Sequence, residues 1–386
     1  MTVIKNKISR IMIIAGETSG DMHGAALMRA MKQQHERLHF FGIGGDRMIA
    51  QGLQPIVHAS EIAFLGFIEI IQHLGFIRRV FQDAVSALER EQPDLVILID
   101  YPGFNLRFAG KSKKLGFRNV YYISPQVWAW KKGRVRKMVQ TIDRMLVILP
   151  FEETLYREKG MDVYFVGHPL KGELTPQKNR PKFFQDLQLQ SDSPVIGLLP
   201  GSRKQEISKL LPEMSKACDI VRQHIPKAQF ILGMAPHLTK DDYHPFLKHQ
   251  ELIRLVENDT YGIMAHADAV WVASGTATLE TALMGTPMVI CYKMAPVSYF
   301  LGKLLVKIKY IGLVNIIAGK KIVPELIQSQ ANREEMARTM IPLIQEQSVR
   351  KKMLEQLNRV AEQLGEPGAS QRAAALILEM LNKGKT

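Results

Sequence analysis

The stretch Pro200-Gly201-Ser202-Arg203 has the residue types of an anion-binding turn. It follows an apolar run that predicts a strand, and a helical pattern comes after it. Gly201 lets the backbone approach a ligand closely, Ser202 is a good helix cap, and the guanidinium of Arg203 suits a diphosphate. Backbone N–H groups at a helix N-terminus also bind phosphate oxygens. The alternative interpretation is a tight strand-to-helix turn with a capping serine.

A second stretch, from Ser274 to Glu280, repeats this arrangement after another apolar run. Its candidate phosphate ligands are the hydroxyls of Ser274, Thr276 and Thr278 and the backbone around Gly275. Glu280 falls about one turn into the following helix, where a carboxylate would accept hydrogen bonds from both hydroxyls of a ribose. The alternative is that the Glu280 carboxylate only complements the helix dipole or serves as a capping partner. Two such loops in one half of the chain predict a nucleotide site there.

An acid stands at the end of a third apolar run, in Ile99-Asp100-Tyr101-Pro102-Gly103-Phe104-Asn105. The carboxyl ends of buried parallel strands are where α/β proteins bind ligands. Asp100 is therefore our candidate general base, with an ionisation set by its surroundings. The alternative is that Asp100 caps the next helix or forms a turn before Pro102.

The glycine-containing loop Ala15-Gly16-Glu17-Thr18-Ser19-Gly20-Asp21 is similar to a phosphate loop but lacks the Lys-Ser/Thr pair of Walker A. It also lacks the complete dinucleotide fingerprint, so a nicotinamide enzyme is a rival with little support. The eleven histidines are scattered, with no H-E-x-x-H pattern and no D-x-D motif beside an apolar strand. We therefore expect neither a metal nor a cofactor.

The elements that would position these residues alternate strand-like runs with helical patterns, and the alternation begins again after the middle of the chain. Strands are predicted over 10–15, 39–43, 94–99, 120–123 and 145–149, and then over 194–199, 228–232, 269–273 and 287–291. Apolar strands separated by helices predict parallel sheets that are buried on both faces. The fold class is therefore α/β, with two Rossmann-like, doubly wound parallel-sheet domains facing each other across a cleft.

The domain boundary is predicted near residue 170, because a polar stretch containing Pro176 and Pro181 follows there. Helices are predicted over 333–345, 348–364 and 368–383, and the break at 365–368 separates the last one. The predicted parts are thus 1–170, 171–364 and 365–386. The last helix would return to its own N-terminal domain or exchange with that of a partner, which leaves a homodimer open.

The chain has 386 residues and a formal net charge of +14, which predicts an anionic partner such as a phosphorylated substrate or a membrane surface. No zinc-finger spacing, RNP-like signature or basic tail supports a nucleic acid. Cys218 and Cys291 are too few for a disulfide framework, so we expect reduced thiols in a cytoplasmic protein. We expect no secretory signal, and no window is long and apolar enough for a membrane span.

Two aromatic stretches each have a functional and a structural interpretation. Trp128 and Trp130 stand beside Lys131 and Lys132, which would suit a sugar phosphate or a membrane interface, or simply form a core pair before a solvated helix. The segment Ala63 to Ile77, with three phenylalanines and few charges, is either a surface that docks acyl chains or a buried helix.

Taken together, these stretches resemble the lipid-A-disaccharide synthases, a family similar in fold to other GT-B glycosyltransferases. The resemblance runs in family order over nearly the whole chain, in the stretches Ala15–Gly24, Ile99–Asn105, Ser124–Trp130, Phe165–Pro169, Leu199–Arg203, Ser274–Glu280, Asn315–Gly319 and Val323–Leu326.

The resemblance implies a reaction in which a 2,3-diacylglucosamine unit passes from its UDP derivative to 2,3-diacylglucosamine 1-phosphate. The product would be a β-1,6-linked disaccharide 1-phosphate, and the anomeric centre would be inverted without a metal ion. By this resemblance Asp100 deprotonates the acceptor hydroxyl and Arg203 with the two helix N-termini takes the charge on UDP. Glu280 holds the ribose, and the cleft is lined by Glu17, Ser19, Gly20, Asn315 and Glu325.

One departure from the family is Gly103, where many members have a second acid, so Asp100 is the only carboxylate of its motif here. The resemblance implies a cytoplasmic enzyme peripheral to the anionic inner membrane, with an N-terminal domain for the acyl-sugar acceptor and a C-terminal domain for the UDP-sugar. The alternatives are another GT-B enzyme that transfers N-acetylglucosamine from UDP, a UDP-N-acetylglucosamine epimerase, and a nucleotide-binding module without activity. Acyl chain length and hydroxylation are left open.

Overall fold

The computed structural model describes residues 8–62, 74–126, 134–247, 252–294 and 309–383. The chain divides into two compact units. Unit 1 comprises Met1–Pro169 together with Leu364–Thr386, and unit 2 comprises Leu170–Gln363.

Unit 1 is built on a seven-stranded parallel sheet with the strand order β3-β2-β1-β4-β5-β6-β7. The strands are β1 Ser9–Ala15, β2 Leu38–Gly44, β3 Leu53–His58, β4 Leu95–Ile99, β5 Asn119–Tyr122, β6 Arg144–Val147 and β7 Val163–Phe165. The helices are α1 Thr18–Gln34, α2 Asp46–Ala50, α3 Ala59–Ile62, α4 Leu74–Glu91, α5 Pro102–Lys114, α6 Arg134–Thr141, α7 Pro150–Arg157 and, at the end of the chain, α15 Ala369–Lys383. The strand order reverses between β1 and β4, so the loops that follow these two strands lie at the switch point where such sheets bind ligands.

The sheet of unit 1 is buried on both faces because successive side chains of β1 point to opposite sides. Ile11 and Ile13 belong to one apolar cluster, with residues of α1 and α15, while Met12 and Ile14 belong to a second cluster with residues of α4, α5 and α6. The last helix therefore completes the core of unit 1 in its own chain. A homodimer would not require this helix to be exchanged.

Unit 2 contains a six-stranded parallel sheet with the strand order β10-β9-β8-β11-β12-β13. The strands are β8 Val195–Leu199, β9 Gln229–Gly233, β10 Ile253–Val256, β11 Ala269–Ala273, β12 Met288–Tyr292 and β13 Glu325–Ile327. The helices are α8 Arg180–Asp186, α9 Lys204–His224, α10 Thr260–His266, α11 Thr276–Leu283, α12 Leu313–Ala318, α13 Arg333–Gln345 and α14 Gln347–Gln363. This is the Rossmann strand order, and its switch point lies between β8 and β11.

The predicted fold class of two doubly wound parallel α/β sheets is confirmed. The prediction missed β3, β7, β10 and β13, which are the edge strands of the two sheets. An edge strand pairs on one side only and is less completely buried, so it does not need the continuous apolar run on which the prediction relied.

Candidate active site

Asp100 directly follows β4 and begins a strained turn in unit 1. Asp100 and Tyr101 have φ angles of 44° and 48°, in the left-handed region that few non-glycine residues adopt. The fully buried side chain of Asn105 supports the turn, because its Nδ2 donates to the carbonyl oxygens of Asp100 at 2.8 Å and Ile99 at 3.1 Å. The turn thus holds the Asp100 carboxyl at the end of the strand.

Burial raises the pKa of the Asp100 carboxyl from 3.8 to about 7. The negative charge of Glu17 adds to this rise in pKa, and a hydrogen bond from the Tyr101 N–H opposes it. A carboxyl group with a pKa near neutrality has the ionisation that a general base requires at physiological pH. The charge of Glu17 therefore influences the ionisation of Asp100.

The loop after β1 approaches the Asp100 turn through Gly16. A Cβ atom at Gly16 would lie 2.3 Å from the ring of Tyr101, so only glycine fits there. Glu17 precedes α1 as its N-cap residue and is exposed, as is Ser19, whereas Gly20 is buried against Ala15. The two predicted loops of unit 1 thus meet at the switch point, with Glu17 and Ser19 accessible to a ligand.

Asp21, in the first turn of α1, has a structural role. Its carboxylate accepts hydrogen bonds from the backbone N–H groups of Gly45 at 2.8 Å, Arg47 at 3.1 Å and Met48 at 3.0 Å. These donors belong to the first turn of α2, so Asp21 caps a helix that is distant in sequence.

Gly103, at the start of α5, is exposed, and a Cβ atom there would meet no other atom within 4 Å. The fold therefore has room for a second acid at this position, where many members of the family that the sequence resembles have one.

In unit 2 the two predicted glycine loops line one pocket at the switch point between β8 and β11. The pocket has a volume of about 440 Å³, and the N-termini of α9 and α11 open into it. Its lining includes Gly201, Ser202, Arg203, Ser274, Gly275, Thr276 and Glu280. Two helix N-termini directed at one cavity favour a ligand with several negative charges.

Arg203 is 65% exposed at the mouth of this pocket, and its Nη1 lies 3.8 Å from Oε1 of Glu206. The Glu206 carboxylate also accepts hydrogen bonds from the N–H groups of Ser202 at 3.2 Å and Arg203 at 3.4 Å. The anion-binding groups predicted from sequence are therefore in contact with a carboxylate of the chain itself.

The second loop divides into residues that face the pocket and residues that support it. Gly275 has a φ angle of 154° and Thr276 is exposed. Thr278 is fully buried, and its hydroxyl donates to the Gly275 carbonyl at 2.9 Å. The hydroxyl of Ser274 donates to the carbonyl of Ile311 at 3.2 Å. Thr278 is thus placed to shape the loop, although it was predicted to contact the ligand.

Glu280 also lines the pocket, and the hydroxyl of Tyr261 donates to its Oε1 at 3.0 Å. Burial raises the pKa of the Glu280 carboxyl, and this hydrogen bond opposes the rise. The second carboxylate oxygen has no hydrogen-bond partner among the described residues and is available to a sugar hydroxyl.

Asn315 and Glu325 form a buried hydrogen-bond network and are absent from the lining of the unit 2 pocket. Asn315 Nδ2 donates to Glu325 Oε1 at 2.9 Å, and the same oxygen accepts from the Gly312 N–H at 2.9 Å. Glu325 Oε2 accepts from the Ile311 N–H at 3.1 Å. This network therefore holds the backbone of Ile311 and Gly312, and Ile311 accepts the hydrogen bond from Ser274. The prediction placed Asn315 and Glu325 in the lining of a substrate cleft instead.

The sequence interpretation missed Glu206 and the segment Met234-Ala235-Pro236, which also line the pocket. The signal that could have located Met234 to Pro236 is their position directly after β9, next to β8 in the sheet. Glu206 is three residues after Arg203, the spacing of a capping box.

Several predicted features lie outside the described residues. These are the tryptophan and lysine cluster at 128–132 and most of the segment from Ala63 to Ile77, of which only 74–77 is described, within α4. Within the described ranges, no three His, Cys, Asp or Glu side chains gather as metal ligands would. Among the helices of those ranges, none has the length and apolar character needed to cross a bilayer.

Residues 11–380 match the model of the lipid-A-disaccharide synthetase family. The lipid-A-disaccharide synthase of Syntrophus aciditrophicus is 44% identical over 379 residues, which cover 97% of this chain and 98% of the relative. That of Geobacter sulfurreducens is 42% identical over 380 residues, covering 98% and 99% of the two chains.

Solved structures with a similar fold include a putative UDP-N-acetylglucosamine 2-epimerase from Listeria monocytogenes, with a TM-score of 0.66 at 15% identity and 98% coverage of each chain. The glycotransferase of kitacinnamycin has a TM-score of 0.66 at 12% identity, covering 97% of this chain and 100% of its own. These likenesses place the fold among GT-B glycosyltransferases and epimerases. The family match and the close relatives go further: the chain belongs to the lipid-A-disaccharide synthetase family.

Proposed function

We propose that the chain is an inverting, metal-independent glycosyltransferase of lipid A biosynthesis. It joins UDP-2,3-diacylglucosamine to 2,3-diacylglucosamine 1-phosphate and releases a β-1,6-linked disaccharide 1-phosphate and UDP. The proposal rests on one observation above all: in a chain of this family, two glycine loops and two helix N-termini line a single pocket in unit 2.

Unit 2 is the proposed donor unit. The diphosphate of the donor would accept hydrogen bonds from the backbone at Gly201, Ser202 and Gly275 and an ion pair from Arg203, which neutralise the charge that develops as UDP leaves. Glu280 would accept hydrogen bonds from the ribose hydroxyls through its available oxygen. Because two helix N-termini and a guanidinium supply the positive charge, the proposal requires no metal ion.

Unit 1 is the proposed acceptor unit, with Asp100 as general base. Its carboxylate would take the proton of the acceptor 6-hydroxyl while that oxygen forms a bond to the anomeric carbon and the bond from this carbon to UDP breaks. A single displacement of this kind converts the α linkage of the donor into the β linkage of the product. The pKa of about 7 leaves a substantial fraction of Asp100 ionised at neutral pH. Glu17 and Ser19, on the adjoining loop, would contact the acceptor.

The decisive experiment is a product assay by mass spectrometry. Incubation with UDP-2,3-diacylglucosamine and 2,3-diacylglucosamine 1-phosphate should give the disaccharide 1-phosphate and UDP in equal amounts. Turnover of UDP-N-acetylglucosamine instead, by transfer to a lipid acceptor or by epimerisation, would replace the proposal with one of the alternative GT-B activities. Donors with defined acyl chains would then measure the chain-length preference.

A binding experiment tests the phosphate role of Arg203 separately. Arg203→Ala should weaken UDP binding by roughly 10- to 100-fold, as expected for loss of a charge-assisted hydrogen bond. Arg222→Ala is the matched control, because Arg222 is exposed in the last turn of the same helix, α9. Equal UDP affinities in the wild type, Arg203→Ala and Arg222→Ala would refute the proposed ion pair between Arg203 and the diphosphate.

We also propose that the protein is cytoplasmic and binds the anionic surface of the inner membrane peripherally. At the start of α4 the side chain of Leu74 is 53% exposed, and Arg78 and Arg79 are exposed one turn later. An exposed apolar residue beside cations is suited to an anionic lipid surface, and the net charge of +14 adds a general attraction. Sedimentation with anionic vesicles should fall as salt rises; sedimentation that is absent or insensitive to salt would contradict this.

A further inference from the structure

Glu206 lies on the groups that the proposed function assigns to the donor diphosphate. Its Oε2 accepts hydrogen bonds from the N–H groups of Ser202 at 3.2 Å and Arg203 at 3.4 Å, and its Oε1 lies 3.8 Å from the Arg203 guanidinium. Amide groups before a helix N-terminus and an arginine are the usual partners of phosphate oxygens. A carboxylate presents the same chemistry as one edge of a phosphate: two oxygens that share a negative charge.

The contact between this carboxylate and the loop is close. A Cβ atom at Gly201 would lie 2.3 Å from Oε2 of Glu206, and Gly201 has a φ angle of 108°. Glycine at this position thus lets the carboxylate pack directly on the backbone of the loop. Glu206 itself lines the pocket, and its side chain is 25% exposed. The carboxylate therefore has a path into solvent through the pocket that it partly fills.

We propose that Glu206 is an internal substitute for the donor diphosphate. It occupies the Ser202 and Arg203 amides in the nucleotide-free enzyme, leaves them when the diphosphate binds, and returns as UDP departs. The exchange lowers the affinity for UDP, because binding must replace an existing charged interaction and bring a second negative charge beside the first. It speeds product release for the same reason. This inference depends on the proposed function, since it requires the pocket to bind a nucleoside diphosphate.

A simpler alternative is that Glu206 only caps α9, in the manner of the acid of a capping box. The two roles differ in where the Glu206 carboxylate lies when UDP is bound: a cap stays on the Ser202 and Arg203 amides, whereas the substitute must have left them. Glutamine keeps an oxygen that accepts the backbone hydrogen bonds but removes the charge, so Glu206→Gln tests whether this charge opposes the binding of phosphate, and the crystal structure of the wild type with UDP tests whether the carboxylate is displaced. The substitute role predicts tighter binding of phosphorylated ligands and no change for uridine, which has no phosphate.

The experiment is calorimetric titration of the wild type and Glu206→Gln with UDP and with uridine. We expect Glu206→Gln to bind UDP roughly tenfold more tightly, the scale of removing one partly exposed like charge next to a phosphate, with uridine unchanged. Glu213→Gln is the matched control, because Glu213 is on the same helix but absent from the pocket lining. It should bind UDP as the wild type does.

Unchanged or weaker UDP binding by Glu206→Gln would overturn the inference while leaving the proposed function intact. A wild type that binds no UDP at all would overturn both. Should Glu206→Gln fail to fold, the crystal structure of the wild type with UDP supplies the same test. The inference requires the Glu206 carboxylate to lie beyond hydrogen-bonding distance of the Ser202 and Arg203 amides in that complex, and a carboxylate still bonded to both would refute it.

Discussion

The side-chain amide of Asn105 donates a hydrogen bond of 2.8 Å to the backbone carbonyl of Asp100, five residues earlier in the chain. The hydroxyl of Tyr121 donates to the same carbonyl. Both donors are buried side chains that hold the backbone of Asp100 in its left-handed conformation, with φ of 44°. Neither bond involves the Asp100 carboxyl, and the residue is only half-buried. The conformation of the candidate base thus depends on a residue that need not touch a substrate.

Asn105→Ala should therefore reduce both stability and activity. We expect the free energy of unfolding to fall by about 1–3 kcal/mol, because buried carbonyl groups lose their donor, and kcat to fall more than KM changes. Asn119→Ala is the control, since Asn119 is equally buried and its amide also bonds backbone carbonyls, of Ala109 and Thr141. It should lose similar stability without a specific loss of kcat. Equal loss of kcat in both variants would mean that Asn105 acts only through stability.

Asp100→Asn should lower turnover by roughly 100- to 10,000-fold, the usual contribution of a general base. Asparagine tolerates the left-handed conformation, so the turn should persist. Full turnover in this variant, in the product assay above, would exclude Asp100 as the base.

The same variant should be more stable than the wild type at alkaline pH. Folding raises the pKa of Asp100 from 3.8 to about 7, so the folded protein holds this proton more tightly than the unfolded chain does. The contribution of this bound proton to the free energy of unfolding is therefore fully present below about pH 4 and is lost as the pH rises through about 7. Asp100→Asn avoids the loss and should gain up to about 4 kcal/mol at pH 8, the free-energy equivalent of the rise in pKa from 3.8 to about 7, with no gain near pH 4. Denaturant unfolding at the two pH values measures this.

The pH dependence of kcat/KM should respond in opposite directions to two changes near Asp100. In the wild type the rate should fall below about pH 7, as the base becomes protonated. Glu17→Gln removes a negative charge that raises the pKa of Asp100, so this fall should move to lower pH. Gly103→Asp adds a negative charge at an exposed position with room for a side chain, so the fall should move to higher pH.

Each of these shifts should be a few tenths of a pH unit to about one unit, and smaller at high salt because Glu17 and residue 103 are exposed. The position of the fall along the pH axis is the quantity compared, so an additional loss of rate from altered substrate contacts does not affect the test. A profile that stays in place in both variants would show that another group controls the fall.

Much of the fold was predictable because the central strands are apolar on both faces. The strand predicted over 269–273 is β11 Ala269–Ala273, and the helix over 333–345 is α13 Arg333–Gln345. The edge strands were not predictable from the same signal. β3, for example, has exposed Gln54 and Pro55 and presents no continuous apolar run.

The candidate site was predictable where a ligand-like loop directly follows a central strand. Both loops of the unit 2 pocket and the Asp100 turn were found in this way, and their ligand roles stay predictions. Glu206 was not found, because its capping-box spacing from Arg203 indicates only a helix cap, whereas the packing of its carboxylate on Gly201 depends on the positive φ of the folded loop. The positions of Asn315 and Glu325 also depend on tertiary structure, since their partners at Ile311 and Gly312 become apparent only when β13 is paired.

The network of Asn315 and Glu325 leads to a final prediction. Glu325 fixes the backbone of Ile311 and Gly312, and the carbonyl of Ile311 accepts the hydroxyl of Ser274 at the edge of the donor pocket. Glu325→Gln places an amide N–H group against one of these backbone N–H groups. It should cost about 1–3 kcal/mol of unfolding free energy and also weaken UDP binding, because the support of Ser274 shifts.

Glu152→Gln distinguishes this coupling from general destabilisation. Glu152 is a carboxylate buried in unit 1, where it accepts hydrogen bonds from Ser124 Oγ at 2.7 Å and the Leu149 N–H at 3.2 Å. Its substitution should lower stability by a similar amount and leave UDP affinity unchanged. If Glu325→Gln also binds UDP with wild-type affinity, the network stabilises unit 2 without positioning the donor loop. Calorimetric titration beside denaturant unfolding separates the two cases, since a positioning residue alters both quantities and a purely structural one alters stability alone.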